Sequence, residues 1–286
     1  MVHDEQDGFD DGELFVSVDR QAWIDGRPEP AEPDLLAREE PMELRIAGVP
    51  IAVLMRTPGH DEELTRGFLL SEAIVADAEQ ITTIRHCTTV DVPEAEDNVM
   101  QIVLRSDVTL DLAALRRNLY ASSSCGICGK ASIAAALAPG RGRTPLPATE
   151  PRVAVEQLHG LPERLLADQP VFARTGGLHA AGLFTSTGER LVVREDVGRH
   201  NAVDKVIGWA AAAGLELGDK LLMVSGRVSF EITQKAIAVG LPLIAAVSAP
   251  SSLAVDLAQR AGLTLVAFVR GRRLCVYSGA QRLTSG

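Results

Sequence analysis

The chain has 286 residues, 46% of them hydrophobic, and 28 Lys and Arg against 38 Asp and Glu give a formal net charge of −10. That length and apolar content suffice for a large core in one domain or two, while the acidic balance argues against generic nucleic-acid binding. No apolar run approaches the ~20 residues of a membrane helix, the amino terminus lacks a basic-then-apolar leader, and four cysteines are too few for a disulfide scaffold; the expectation is a cytoplasmic protein with reduced thiols and no membrane contact.

In chain order, residues 1–20 read as a disordered acidic tail, with Asp4, Glu5, Asp7, Asp10, Asp11 and Glu13 and almost no apolar periodicity. Residues 21–138 read as a smaller α+β domain. Met42 to Leu54 predicts two short strands around Ala47-Gly48, and Asp61 to Ile74 a helix with Leu64, Phe68, Leu69 and Ile74 on one face. Gln101 to Leu104 predicts a strand and Leu112 to Leu119 a short helix. Residues 122–130, SSSCGICGK, then precede the alanine-rich run Ala131 to Leu137, a strong helix former.

Residues 139–152 read as a linker, because Gly140, Gly142, Pro145 and Pro147 interrupt any regular element. From 153 to 286 strands are expected at Ala181 to Thr185, Leu191 to Arg194, Lys220 to Val224, Leu243 to Val247, Leu263 to Phe268 and Leu274 to Tyr277. Helices at Ala202 to Ala213, Glu231 to Val239 and Ser252 to Ala261 alternate with them. Such βαβ alternation predicts an α/β domain whose parallel strands are covered on both faces.

Cys125 and Cys128, three positions apart and flanked by Gly126 and Gly129, offer three chemistries: metal ligation, dithiol cycling or carriage of sulfur as a persulfide. A helix amino terminus and Lys130 both favour the thiolate. Zinc needs four ligands and the pair supplies two. The missing ligands would be His86 with Cys87, or His60, whose His60-Asp61-Glu62 has the H-x-E form that precedes CxxC in zinc nucleobase deaminases. Against zinc, Ser124 stands where deaminases place proline, and Thr57-Pro58-Gly59 makes His60 the opening of a helix. Cys275 reads as core.

Three strand-to-helix turns are suited to anions, since helix amino-terminal amides point at them: Arg194 to Asn201, which contains His200; Ser225-Gly226-Arg227 with Ser229; and Ser248 to Ser252. On one sheet edge they would define a crevice, although serine and asparagine there are also ordinary helix caps. Phe268-Val269-Arg270-Gly271-Arg272-Arg273 adds three guanidinium groups suited to phosphate. His179 could face the same crevice, and His159 has no evident partner.

Together these motifs resemble the formate dehydrogenase accessory sulfurtransferases, the FdhD family. The residues that carry the resemblance are Arg56 to Gly59 with Gly67-Phe68-Leu69, Ser124 to Gly129, Thr175 to His179, Glu195 to Lys205, Ser225 to Arg227 and Ser248 to Ala254. The resemblance implies a cytidine-deaminase-like three-layer α/β domain. It also implies a sulfurtransferase that takes sulfur from a cysteine desulfurase and passes it to bis-molybdopterin guanine dinucleotide, activating formate dehydrogenase. Cys125 matches the persulfide-forming cysteine, Cys128 its companion, and Phe268 to Arg273 the cofactor-binding segment. Ser225, Gly226, Arg227 and His200 would complete the nucleotide crevice, and the cofactor's two identical ends suit a homodimer. A zinc deaminase using His60, Cys125, Cys128 and Glu62, or a non-catalytic chaperone of cofactor and apo-enzyme, are the competing readings.

Overall fold

The computed structural model describes residues 14–88, 97–112, 115, 146 and 149–285. β1 (Phe15–Ile24) and β2 (Arg27–Ala37) form an antiparallel hairpin around Asp25-Gly26, both at positive φ, the geometry that Asp-Gly supplies in a two-residue turn. Residues 15–20, placed in the acidic tail by composition, therefore form the first part of β1. β3 (Glu40–Ile46) and β4 (Val49–Arg56) turn at Ala47-Gly48, as expected, and join β5 (Ile81–His86) and β6 (Val99–Leu104) in a sheet of order β4-β3-β6-β5. Met42, Leu44, Ile46, Met100 and Ile102 alternate onto its buried face, which α1 (Asp61–Ser71) shares. The helix stops at Ser71, and Ile74 follows it into the core.

β7 (Val153–Ala154), α2 (Val155–His159), α3 (Leu161–Ala167) and α4 (Pro170–Thr175) lead into a six-stranded sheet of order β13-β12-β11-β10-β8-β9. Its elements run β8 (His179–Thr185), β9 (Arg190–Asp196), α5 (Arg199–Ala212), β10 (Lys220–Val224), α6 (Phe230–Ala238), β11 (Leu243–Ala246), α7 (Ser252–Ala261), β12 (Thr264–Arg270) and β13 (Arg273–Ser278), then β14 (Leu283–Thr284) beside β7. β10, β11 and β12 are parallel and the other pairs antiparallel. Leu222, Val224, Ile244 and Ala246 pack with α5, α6 and α7, whereas Leu221, Met223, Leu243 and Ala245 pack with Leu158, Leu161 and Leu165 of α2 and α3. Helices on both faces explain why these strands are apolar throughout rather than alternating.

One hydrophobic core joins the four-stranded sheet and α1 to α5, α6 and α7. Where α1 crosses α5, a Cβ on Gly67 would stand 2.5 Å from the Asp204 carbonyl carbon, and one on Gly208 2.6 Å from that of Glu63. Only glycine allows backbones this close. Leu146, from the segment expected to be a linker, packs against this core, and Arg282 donates to the Glu150 carbonyl at 2.8 Å.

Candidate functional site

The motif Glu195 to Lys205 and the motif Arg56-Thr57 meet in a buried polar seam. Arg56 makes a bidentate pair with Asp61 at 3.0 and 2.9 Å. Asp196, fully buried, accepts from the Thr57 amide at 3.2 Å, from Gly198 at 2.8 Å and from Asn201 at 2.9 Å, and pairs with Lys205 at 2.8 Å. Lys205 also donates to the Thr57 carbonyl at 2.9 Å, and Asn201 to that of Met55 at 2.7 Å. One turn on, Lys235 holds Asp204, Glu72 and Ser71, each at 2.8–3.0 Å. Burial opposes the Lys235 charge, but Asp204 and Glu72 outweigh it and hold the ammonium above its ordinary range. Every charge here has a partner, as buried charges require. Glu195 caps α4, accepting from the Val171 and Phe172 amides at 3.0 and 2.7 Å; burial raises its carboxyl above the usual range against those bonds.

This seam leaves Arg199 and His200, at the start of α5, facing the sheet edge where β10 and β11 end. There the Ser225 amide donates to the Ala180 carbonyl and Ser225 Oγ accepts from the Ala180 amide, both at 2.9 Å. The Val228 amide donates to the Ala249 carbonyl at 3.1 Å and the Val228 carbonyl accepts from the Ser251 amide at 2.9 Å, and the Phe268 amide donates to the Ser248 carbonyl at 3.3 Å. The three turns are thus stitched into one crevice. Gly226 closes on its neighbours: a Cβ there would lie 3.2 Å from His179 Nδ1 and 3.9 Å from Arg199 Cβ. Ser251 is an ordinary cap, accepting from the Ala254 amide at 3.2 Å. Ser229 is not; its hydroxyl donates to Glu231 at 3.0 Å and lies 3.1 Å from His200 Nε2, which sits 3.2 Å from the same carboxylate.

The electrostatics of this edge are basic. Burial, then Arg199, His200 and Arg227, push the His179 imidazole below its ordinary range, with Asp196 opposing them. Burial works against ionisation of Glu231, but His200, Ser229 and Arg199 prevail and hold its carboxyl below the usual range. Phe268 is half-buried at φ 54 within β12, where the register with β13 shifts. A bulky side chain in the left-handed region stores strain, the kind of outlier that marks ligand sites. Val269 turns into the core, and Arg270, Gly271, Arg272 and Arg273 are exposed. The arrangement can grip a multiply charged anion along one sheet edge.

Away from this edge, around the start of α1, His60, Asp61, Glu62, Glu63, Arg66 and His86 line a cavity of about 380 Å³. His60 opens the helix in the left-handed conformation, and burial with the charges of Arg194 and Lys205 pushes its imidazole down to about 3. Among the described residues no cluster of three His, Cys, Asp or Glu is placed to hold a metal ion; Cys125 and Cys128, the other members of the zinc reading, lie outside them.

A model of the FdhD/NarQ family matches residues 37–284. The chain belongs to this family. It is 52% identical over 254 residues to the protein of Streptomyces coelicolor named Sulfur carrier protein FdhD, covering 88% of this chain and 89% of that one. It is 50% identical over 262 residues to the protein of that name from Mycobacterium tuberculosis, covering 88% and 92%. Its fold is that of a Desulfotalea psychrophila protein whose crystal structure is described as a candidate formate dehydrogenase accessory protein, with TM-score 0.73, 24% identity, and 95% and 100% of the two chains covered.

In this FdhD/NarQ chain the structure brings His200, Ser225, Gly226 and Arg227 together, and the Phe268 to Arg273 segment reaches them through Ser248. Sequence reasoning passed over Glu231, which orders His200, and the role of Ser229 beyond a cap. Their only signal was a serine and a glutamate two apart at a helix start, indistinguishable from ordinary capping. Cys275 lies half-buried on the edge strand β13 rather than in the core. No helix among the described residues is long and apolar enough to cross a membrane.

Proposed function

We propose that the protein is a cytoplasmic sulfurtransferase that carries sulfur as a persulfide on Cys125. It takes that sulfur from a cysteine desulfurase and gives it to bis-molybdopterin guanine dinucleotide, its substrate, on the way to active formate dehydrogenase. The carrying observation is the basic crevice of Arg199, Arg227 and the Phe268 to Arg273 segment, stitched onto one sheet edge of an acidic protein. It supplies a nucleotide grip to a family whose relatives are named sulfur carriers. The amides after Ser225 and the guanidinium groups of Arg227, Arg270 and Arg272 would hold the cofactor's phosphates.

In the acceptance step the Cys125 thiolate attacks the outer sulfur of the donor persulfide. The donor's S–S bond breaks, a new one forms on Cys125, and the donor thiolate leaves, so no outside oxidant is needed. In delivery Cys128 either attacks Cys125 Sγ, breaking its bond to the outer sulfur so that sulfide leaves and a Cys125–Cys128 disulfide supplies the two electrons, or tunes the Cys125 thiolate. The sheet order β9-β8-β10-β11-β12, with helices on both faces, supports reading the scaffold as deaminase-like without deaminase chemistry. Two identical cofactor ends favour a homodimer. The test is intact-mass analysis after incubation with a cysteine desulfurase and cysteine. Wild-type protein gains about one sulfur atom, lost on reduction and absent in Cys125→Ala; no gain on wild type overturns the reading.

A further inference from the structure

Among the described residues the β1–β2 hairpin packs on the body at its base, where Phe15, Leu35 and Ala37 meet Val171, Leu178 and Phe172. From Asp19 to Pro33 nearly every residue is exposed, and the tip carries Trp23 at 66% and Ile24 at 59% exposure. A two-stranded ribbon in water is marginal alone. Its two edges differ. β2 carries Pro28, Pro30 and Pro33, and the register shift adds its extra residue on β2, between Ala31 and Pro28 opposite Ala22; prolines and bulges are how an edge is kept from pairing. β1 is regular and free of proline over ten residues, and among the described residues its outer edge has no neighbour.

We propose that β1 is the dimerisation strand: the free β1 edges of two copies pair antiparallel about a two-fold axis at Arg20. Such an axis sets residues from the same face of the strand opposite one another. Centred on Arg20, it places Val16 opposite the partner's Ile24 and Val18 opposite the partner's Ala22 on one face. On the other face Ser17 meets the partner's Trp23 and Asp19 the partner's Gln21. Apolar residues thereby match across the face that holds Val16, Val18, Ala22 and Ile24. The two central arginines are tolerated because each already holds Glu32 at 2.7 Å and Asp34 at 3.5 Å. Shifting the axis to Asp19 would instead oppose Asp19 to itself and Val18 to an arginine. The resulting ribbon runs β2-β1-β1-β2, with proline-bearing strands at both outer edges, so pairing closes at two copies. This names the interface of the dimer proposed above and is independent of the sulfur chemistry.

The register makes a charge-swap test possible. Val18→Lys with Ala22→Lys sets lysine opposite lysine twice across the axis; Val18→Lys with Ala22→Glu sets lysine opposite glutamate twice. By size-exclusion chromatography with light scattering, wild type and the lysine–glutamate variant are dimers, and the lysine–lysine variant dissociates with a dimer affinity at least tenfold weaker. Matching far-ultraviolet circular dichroism and cooperative thermal unfolding in the two variants show that the body is folded in both. Two dimeric variants overturn the β1 interface while leaving a dimer formed elsewhere, and two monomeric ones overturn the register centred on Arg20. A monomeric wild type overturns the interface and the dimer together and leaves the persulfide reading to its own mass measurement.

Discussion

Replacing Gly67 or Gly208 by alanine sets two opposing effects against each other. Both lie inside helices, where alanine is favoured over glycine by about 0.8–1.0 kcal/mol on propensity alone. Against this, the new Cβ would stand 2.5–2.6 Å from a carbonyl carbon of the facing helix and closer still to that carbonyl's oxygen, where 3.4–4 Å is ordinary contact. The neighbours are backbone atoms of Asp204 and Glu63, which have no rotamer to yield, so α1 and α5 must part by more than about 1 Å and loosen the core between them. Overpacking of this kind costs about 1–3 kcal/mol, and with no side chain to give way the upper part of that range applies. The net expectation is that each variant loses about 1–2 kcal/mol in urea unfolding. Once one alanine has parted the helices the second costs less, so the double variant falls short of the sum. Gly218, with nothing within 4 Å of its Cβ position and no positive φ, is the control, neutral or up to about 1 kcal/mol more stable as alanine. Stability at or above wild type in both Gly67→Ala and Gly208→Ala would refute the close crossing and, with it, the placement of Arg199 and His200.

Two further outcomes follow from the seam. Lys235→Met leaves buried Asp204 and half-buried Glu72 without their cation and costs about 3–5 kcal/mol in urea unfolding; adding Asp204→Asn recovers part of it, and an additive double variant refutes the pairing. The His60 imidazole is pushed down to about 3 in the fold by burial, Arg194 and Lys205, against about 6.5 unfolded. As pH falls below about 6.5 the unfolded chain takes up a proton that the native chain refuses. Stability present at neutral pH is therefore lost between about 6.5 and 3, by up to about 1.4 kcal/mol per pH unit. Glu195, whose carboxyl is raised in the fold, contributes the opposite slope, so the comparison is with His60→Asn, a residue suited to the left-handed position; an unchanged slope in that variant excludes His60 as the source.

The legible parts of the chain were those whose pattern had one physical cause. Leu221 to Val224 and Leu243 to Ala246 are apolar on both faces because helices cover both, and turn residues bound them, so their ends stood out. Ser252 to Ala261 was bracketed by a serine cap and a glycine at positive φ. The start of β1 was hidden because Asp19 continues the acidic composition of the tail, and β2 because Pro28, Pro30 and Pro33, with Glu29, Glu32 and Asp34, mask a protected edge strand. Residues 155–175 were missed because their helices are short and Pro162 and Pro170 open a first turn, where proline is tolerated, rather than break one.

For the site, a motif such as Glu195 to Lys205 shows which residue types coexist but not which way each turns. Asp196, Asn201, Asp204 and Lys205 turn inward and fasten the two halves of the chain, which leaves Arg199 and His200 for the crevice. The same sorting explains how a chain of net charge −10 builds a basic edge. Asp61, Glu63, Asp196 and Asp204 are neutralised in pairs with Arg56, Arg194, Lys205 and Lys235. Arg270, Arg272 and Arg273 stand at the rim with no acidic partner among the described residues. Bulk charge averages over both populations, whereas the nucleotide proposed above would meet only the second, at the sheet edge.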